Sequence, residues 1–206
     1  MTMKTHTVYA GKLAIGGGHP ISVQTMCNTD TLNVEQSVAQ CMALVREGAQ
    51  MVRLTTQGPS QVIALAQIKE KLRLQGVDIP LVADVHFSAS TAMEAARVAD
   101  KVRINPGNFS RDRSRVNELL AELFGICRQH NTSLRIGVNH GSLPSHILET
   151  YGNSAQGMCQ AALEYLSICR KMDFPHVVVS LKSSNTRIMV QANRLLAQKM
   201  EALRMD

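Results

Sequence analysis

The sequence predicts an α/β fold of the TIM type, a parallel (β/α) barrel in which about six of the eight units are present. Short apolar strands alternate with helices six times, which is typical of a parallel sheet with right-handed crossovers. Polar residues stand at or near the carboxyl ends of these strands, where TIM barrels bind their ligands. The chain ends directly after a helix, so we expect residues 1–206 to form one incomplete barrel domain.

Each element follows from periodicity and from its capping residues. Residues 8–15 predict a small hairpin or an edge strand, and the glycines at 16–18 close it as a turn, since they lack the spacing of a phosphate-binding loop. The predicted strands are 21–26, 51–55, 81–86, 101–105, 133–138 and 177–181. The predicted helices run over about 34–47, 59–74, 90–99, 114–130, 155–172 and from 186 onward. Asn33 and Asn185 are the expected caps of the first and last helices.

Composition limits the class of protein. The chain is 45% hydrophobic and has no Trp, so its core must consist of aliphatic residues and Met. The net charge is +6, but Lys and Arg are spread along the chain, which favours a small anionic ligand over nucleic acid. Five scattered cysteines without a CxxC pair predict reduced thiols and a cytoplasmic protein. No apolar segment predicts a membrane span or a signal peptide.

The main functional signal is a set of polar residues at strand ends. In the segment 133–142, Leu134, Ile136 and Val138 alternate as apolar residues, whereas Arg135 lies on the opposite face. A guanidinium inside a strand is costly unless an anion or a hydrogen-bond acceptor meets it. The residues at comparable positions in the six strands are Gln24, Arg53, Asp84, His86, Arg103, Asn105, Arg135, Asn139 and Lys182.

This set predicts a site for a dense anion such as a diphosphate, because Arg offers bidentate contacts to phosphate and Lys a point charge. Each arginine could instead pair with a structural carboxylate, which we expect less often for four cations at equivalent positions. Asp84 and His86 share a face by alternation and could bind a metal ion. We favour a hydrogen-bonded pair, in which the imidazole acts as a general acid or as a phosphate-binding cation.

Five motifs give the chain a family resemblance. They are ISVQTMCNTDT at 21–31, LVADVHF at 81–87, VRINPGN at 102–108, RIGVNHGSL at 135–143 and VSLKS at 179–183. In this order they resemble the 4-hydroxy-3-methylbut-2-enyl diphosphate synthases, the iron–sulfur enzymes of the non-mevalonate isoprenoid pathway. The resemblance extends from about residue 7 to the end of the chain.

The resemblance implies an N-terminal barrel similar to that of dihydropteroate synthase. It also implies reductive ring opening of 2-C-methyl-D-erythritol 2,4-cyclodiphosphate to 4-hydroxy-3-methylbut-2-enyl diphosphate, with two electrons from a flavodoxin or ferredoxin. On this pattern the phosphates would be neutralised by Arg53, Arg103, Arg135 and Lys182. The substrate would be oriented by Asn105, Asn139, Asp84 and His86. We assign Asp84 and His86 to catalysis and add Gln24 to the substrate-binding residues.

One departure from the family concerns its cofactor. The family holds a [4Fe-4S] cluster in a C-terminal domain through three Cys and one Glu, and the five cysteines of this chain do not match those positions. We therefore expect a substrate-binding fragment that binds no metal and is inactive alone, with the cluster ligands outside these residues. Because the family completes its active site between two protomers, we expect the intact protein to be a homodimer.

Two other interpretations stay open at this stage. A cluster-free barrel enzyme with a pterin or another phosphate ligand would show the same cationic strand ends, and a downstream sequence without cysteines would favour it. A binding module that holds an anion without chemistry would also fit. Normal growth of cells that carry Arg135→Ala and Lys182→Ala in an otherwise essential pathway would favour that module.

Overall fold

The computed structural model describes residues 5–205, which form a small antiparallel hairpin and a parallel sheet covered by helices. The strands are β1 Thr7–Ala10, β2 Leu13–Gly16, β3 Gln24–Met26, β4 Met51–Thr56, β5 Leu81–Val85, β6 Lys101–Ile104, β7 Ser133–Asn139 and β8 Val177–Lys182. The helices are α1 Val34–Arg46, α2 Pro59–Leu74, α3 Ala89–Ala96, α4 Val116–His130, α5 Ser145–Tyr151, α6 Ala155–Lys171 and α7 Thr186–Ala202.

The six strands β3 to β8 lie side by side in sequence order, and every neighbouring pair is parallel. Each connection between neighbours contains at least one helix, because a parallel neighbour can be reached only by a crossover. The sheet therefore grows in one direction, as successive strands of a (β/α) barrel do. The prediction of six barrel units is confirmed.

The sheet has one apolar face and one polar face. Leu54, Ala83, Val102 and Ile136 are fully buried on the face that packs against the helices. Each such Leu or Ile contributes about 1.5–3 kcal/mol by leaving water. We call the opposite side the inner face. The strand register assigns to it Gln24, Met26, Met51, Arg53, Thr55, Val82, Asp84, Lys101, Arg103, Ser133, Arg135, Gly137, Asn139, Val178, Ser180 and Lys182.

The predicted hairpin is confirmed as β1 and β2, and it covers the amino end of the inner face. Ala10 packs with Met51 and Val82 in a second apolar cluster, which Leu13 and Ile15 extend. The hairpin thus gives the inner face an apolar floor at the amino ends of the strands.

The first core strand is shorter than predicted. Only residues 24–26 pair with β4, whereas Ile21 is 97% exposed and Val23 is 55% exposed. Within the described sheet β3 is an edge strand with one neighbour. The Val23 amide donates a hydrogen bond to the side chain of Gln50 at 2.9 Å, just before the start of β4. The prediction of strand structure over residues 21–23 is therefore wrong.

Helix boundaries follow the predicted caps. The side chain of Asn33 accepts a hydrogen bond from the Gln36 amide at 3.2 Å, and that of Asn185 accepts one from the Arg187 amide at 3.0 Å. Gly48 follows α1 with a positive φ of 93°. The short helix α5 was not predicted, and α3 ends at Ala96 instead of residue 99. None of the helices within residues 5–205 has the length and apolar character that a membrane crossing requires.

Replacement of Val138 by Asp tests the assignment of the apolar face. Val138 is 2% exposed, so an aspartate there would bury an unpaired charge. We expect the free energy of unfolding in urea to fall by more than about 3 kcal/mol. The control Ile21→Asp places the same charge on an exposed side chain and should change stability by less than about 0.5 kcal/mol. Equal effects of the two substitutions would contradict the assignment.

Candidate anion-binding site

Asp84 lies at the centre of the inner face and is 3% exposed. Its Oδ1 accepts a hydrogen bond from Arg103 Nη1 at 3.2 Å, and its Oδ2 lies 3.1 Å from His86 Nε2. Arg53 Nε is 3.6 Å from the same Oδ2. The prediction that Asp84 and His86 share a face and form a hydrogen-bonded pair is confirmed. One carboxylate therefore interacts with two guanidinium groups and an imidazole.

Arg53 is held by a weak acceptor as well as by Asp84. Its Nε and Nη2 donate to the Sδ of Met26 at 3.3 Å and 3.1 Å. A thioether sulfur accepts hydrogen bonds weakly. The side chain of Arg53 is also 25% exposed, so its guanidinium keeps donors that a ligand can use.

Arg103 depends on a glycine in the neighbouring strand. Its Nη2 donates to the carbonyl oxygen of Gly137 at 2.9 Å. A Cβ atom at position 137 would stand 2.3 Å from Arg103 Nε, which is closer than real contacts allow. A glycine within a strand often marks such a close approach. Gly137 therefore provides the space that lets Arg103 reach Asp84.

Arg135 lies beside Arg103 in the strand register and has no acidic partner. Its Nε donates to Ser180 Oγ at 2.9 Å, and no carboxylate of the described residues lies within 4.0 Å of its guanidinium. Burial lowers the pKa of Arg135, and repulsion from Arg53 and Arg103 lowers it further. A bound anion would relieve this repulsion, because opposite charge stabilises the protonated guanidinium.

Burial also lowers the pKa of Arg103, while Asp84 offsets part of this effect. For both arginines burial is the largest cause, and repulsion from neighbouring guanidinium groups lowers the pKa further. Near the carboxyl edge, Lys182 adds an exposed cation and lies in register with Asn139. Cations in this arrangement can contact an anion with several oxygen atoms.

Asn105 has a different environment from the cations. It is 4% exposed, its Nδ2 donates to Ser142 Oγ at 2.8 Å, and its Oδ1 accepts from the Gly107 amide at 3.1 Å. These bonds join the turn after β6 to the turn after β7. The geometry supports a role in which Asn105 positions both turns at the edge of the site.

Gln24 stands apart from the other predicted residues. It is the first residue of β3, level with Met51 at the amino end of the sheet, because the strand begins later than expected. The expectation that Gln24 lies at the carboxyl end of its strand is wrong. Its Oε1 is buried and has no hydrogen-bond partner among the described residues. No described hydrogen bond or ion pair joins it to Asp84 or to the arginines.

Several residues of the site were not predicted from the sequence. Met26, Gly137 and Ser180 support the arginines, as described above. Lys101 is 2% exposed and lies on the inner face two residues before Arg103. The alternation of Lys101 and Arg103 in one strand was a signal that could have identified Lys101.

The cysteines do not fit an iron–sulfur cluster. All five are free and buried, and burial raises the pKa of Cys127 and Cys169 to about 12, whereas metal ligands are thiolates. Cys27 and Cys41 lie next to each other, with their sulfur atoms 3.6 Å apart. Across residues 5–205 there is no group of three or more His, Cys, Asp or Glu side chains that could hold a metal ion.

Comparison with known proteins gives a family match. A family model described as the GcpE TIM-barrel domain matches residues 5–204. The 4-hydroxy-3-methylbut-2-en-1-yl diphosphate synthase (ferredoxin) of Synechococcus sp. (strain CC9311) is 42% identical over 96% of this chain and 54% of its own length. The flavodoxin enzyme of Leptospira interrogans is 39% identical over 98% of this chain and 33% of its own length. The chloroplastic ferredoxin enzyme of Oryza sativa subsp. japonica is 41% identical over 98% of this chain and 30% of its own length. The chain thus spans between about a third and a half of these relatives.

Solved structures show the same fold at low identity. Dihydropteroate synthase of Burkholderia cenocepacia has a TM-score of 0.59 at 14% identity and covers 89% of this chain and 64% of its own. Phospho-2-dehydro-3-deoxyheptonate aldolase of Thermotoga maritima has a TM-score of 0.60 at 11% identity, and the match covers 94% of this chain and 52% of the aldolase. The predicted likeness to the dihydropteroate synthase barrel is confirmed.

Asp84→Asn tests whether one carboxylate holds the cations together. The amide leaves Arg53 and Arg103 without a countercharge, so we expect the free energy of unfolding to fall on the order of 3 kcal/mol. Sulfate should restore more stability to this variant than to the wild type, because an anion can replace the carboxylate. The control Asp78→Asn removes an exposed ion pair and should cost less than about 1 kcal/mol. Equal recovery with sulfate in all three proteins would contradict the interpretation.

Gly137→Ala tests the placement of Arg103. The added Cβ collides with Arg103 Nε, whereas the control Gly141→Ala meets no atom within 4 Å. Pyrophosphate titrations by calorimetry should show at least about tenfold weaker binding for Gly137→Ala, as expected when one charge-assisted hydrogen bond is lost. Gly141→Ala should bind as the wild type does. If a folded Gly137→Ala protein binds pyrophosphate as tightly as the wild type, Arg103 does not contribute to anion binding.

Proposed function

This chain belongs to the GcpE TIM-barrel domain family, and we propose that it is the substrate-binding barrel of a 4-hydroxy-3-methylbut-2-en-1-yl diphosphate synthase. The names of relatives at 39–42% identity support this proposal. The observation that carries it is the excess of cations on the inner face, where Arg53 and Arg103 share the carboxylate of Asp84 and Arg135 has no acidic partner. The proposed domain comprises residues 1–206, and the rest of the enzyme lies outside this chain.

The proposed substrate is 2-C-methyl-D-erythritol 2,4-cyclodiphosphate, whose two linked phosphate groups match a dense cationic surface. Arg53, Arg103 and Arg135 neutralise phosphate oxygens from the inner face, and Lys182 does so from the exposed edge. Asn139 lies in register with Lys182 and hydrogen-bonds the substrate there. Gln24 offers an unpaired carbonyl oxygen to a substrate group that reaches the amino end of the inner face.

Asp84 and His86 form the proposed catalytic pair. Asp84 fixes the imidazole through Nε2, and the His86 side chain is 32% exposed toward the edge where the substrate binds. In this arrangement Nδ1 can present a hydrogen bond or a proton to a substrate oxygen. The ring opening takes up two electrons and two protons and releases one water molecule. The chain's own contribution is to bind the diphosphate, orient it and hold a proton near the oxygen that leaves.

Electron transfer is assigned to residues outside this chain, since its cysteines do not fit a [4Fe-4S] cluster. The proposed cluster domain would follow the barrel, and the electron donor would be a ferredoxin or a flavodoxin, as the names of relatives state for those enzymes. We also propose that the intact protein is a homodimer, in which the cluster domain of one protomer meets the barrel of the other. Free, reduced cysteines support a cytoplasmic location.

Calorimetric titration of the 206-residue chain with the cyclodiphosphate tests the proposed function. Saturable binding is expected, and Arg135→Ala should weaken it by about 1.5–3 kcal/mol because a charge-assisted contact is lost. The control Arg97→Ala changes a surface ion pair with Glu94 and should leave affinity unchanged. Full-length Arg135→Ala protein should lose turnover in parallel.

Two outcomes of these titrations would contradict the proposal. If the folded chain and the full-length protein both fail to bind the cyclodiphosphate, the proposed substrate is wrong. If Arg135→Ala unfolds the chain, Arg135 is structural and its assignment to phosphate binding is wrong.

A further inference from the structure

Lys101 is a buried lysine without a countercharge. It lies on the inner face at 2% exposure, in register with Val82 on one side and Ser133 on the other. No hydrogen bond or ion pair of its Nζ is found among the described residues, whereas Lys69, a partly buried lysine, pairs with Asp100 at 3.0 Å. An ammonium group on a side chain that is nearly inaccessible to water and has no acidic partner is poorly solvated, so this position favours the neutral amine.

The groups that face Lys101 make a positive charge there still less favourable. Arg53 from β4 and Arg135 from β7 repel it, and Arg103 is the next inward residue of its own strand. Asp84 from β5 is already shared by Arg53, Arg103 and His86. Lys182 is charged but lies at the far end of β8. The other inward strand residues carry no charge; they are Gln24, Met26, Met51, Thr55, Val82, Ser133, Gly137, Asn139, Val178 and Ser180, and the hairpin adds Ala10, Leu13 and Ile15.

These surroundings lower the pKa of Lys101 to about 7, with burial as the largest cause, followed by Arg135 and Arg53. The free amine of Lys101 therefore predominates above about pH 7 in the folded chain, whereas an exposed lysine would still be charged at this pH. Phosphate oxygens bound by Arg53 and Arg135 would cancel the repulsion and add an attractive field, so the protonated form would then be favoured.

We propose that Lys101 is the proton-linked cation of this site: an anion that binds to Arg53 and Arg135 draws one proton from solvent onto the Lys101 amine. This inference rests on the proposed function, since it uses the same anion site. The step forms one N–H bond and transfers no electrons. Lys101 then acts as a positioning residue that adds a positive charge beneath the ligand only when the ligand is present.

Proton uptake gives binding a characteristic pH dependence. Above about pH 7 the anion must bring a proton with it, so affinity should fall by up to tenfold for each pH unit. Lys101→Met keeps a long apolar side chain at this buried position, removes the amine and should make affinity nearly independent of pH over the same range.

The test is calorimetric titration at pH 8 in two buffers with different ionisation enthalpies, which measures the number of protons taken up. Two probes are used: the cyclodiphosphate and sulfate, neither of which titrates near this pH. We expect close to one proton per anion for the wild type and for Lys12→Met, a control at an exposed lysine. Lys101→Met should bind the anion with little uptake.

A second measurement follows the Lys101 amine directly by NMR in the absence of ligand, with Lys101→Met used to assign its signal. We expect a titration near neutral pH that moves to higher pH when sulfate is added. This measurement also establishes that the substitution affects Lys101 and not only the stability of the chain.

The outcomes distinguish this inference from the proposed function. Proton uptake with sulfate but no binding of the cyclodiphosphate would support the role of Lys101 and refute the proposed substrate. Cyclodiphosphate binding without proton uptake, or with equal uptake by Lys101→Met, would overturn the role of Lys101 and leave the substrate in place. A Lys101 amine that titrates as an ordinary lysine, or failure of both anions to bind, would also overturn it.

Discussion

The contacts of Asp84 with Arg53, Arg103 and His86 are the interaction on which the inner face depends. Asp84 is the one acidic residue among the inward positions of the six described strands. It is nearly inaccessible to water, so its charge is screened little and can hold several cations in place. It cannot neutralise all of them. One carboxylate thus holds two guanidinium groups and an imidazole together, while Arg135 has no acidic partner; the proposed function assigns this excess of cations to an anionic ligand.

Strand alternation makes this charge imbalance tolerable for the fold. Successive side chains of a strand point to opposite faces, so the arginines of β4, β6 and β7 are kept out of the core that Leu54, Val102 and Ile136 form with the helices. Apolar burial on the outer face stabilises the sheet, whereas repulsion among the arginines of the inner face opposes folding. The apolar floor made by the hairpin strengthens the effect, because it limits access of water to the lower side of the cations. The same strands therefore carry both the apolar core and the proposed binding site.

Much of this arrangement could be predicted from the sequence because local rules determine it. Periodicity and caps such as Asn33 and Asn185 predicted six strand–helix units, and alternation predicted that Asp84 meets His86 and that Arg135 faces away from the core. The roles of these residues toward a substrate remain proposals. The resemblance to a known family named the expected substrate, and a family match over residues 5–204 supports that identification.

The parts that could not be predicted depend on neighbours distant in sequence. The start of β3 is set by the single strand beside it, which is why Gln24 was misplaced at the carboxyl end. The need for glycine at position 137 comes from the guanidinium of Arg103 on another strand. Lys101 lies at the start of its strand, away from the polar strand ends, and its burial without a countercharge arises only when β4, β6 and β7 are assembled.

The central claim is that the arginines of the inner face together form the anion site. The most direct measurement is a set of proton–nitrogen NMR spectra of the arginine side chains, recorded with and without the cyclodiphosphate. The Nε–H signals of Arg53, Arg103 and Arg135 should shift together and become protected from exchange with water, whereas those of the surface residues Arg97 and Arg115 should not. Saturable binding that leaves the three inner signals unchanged would contradict the claim.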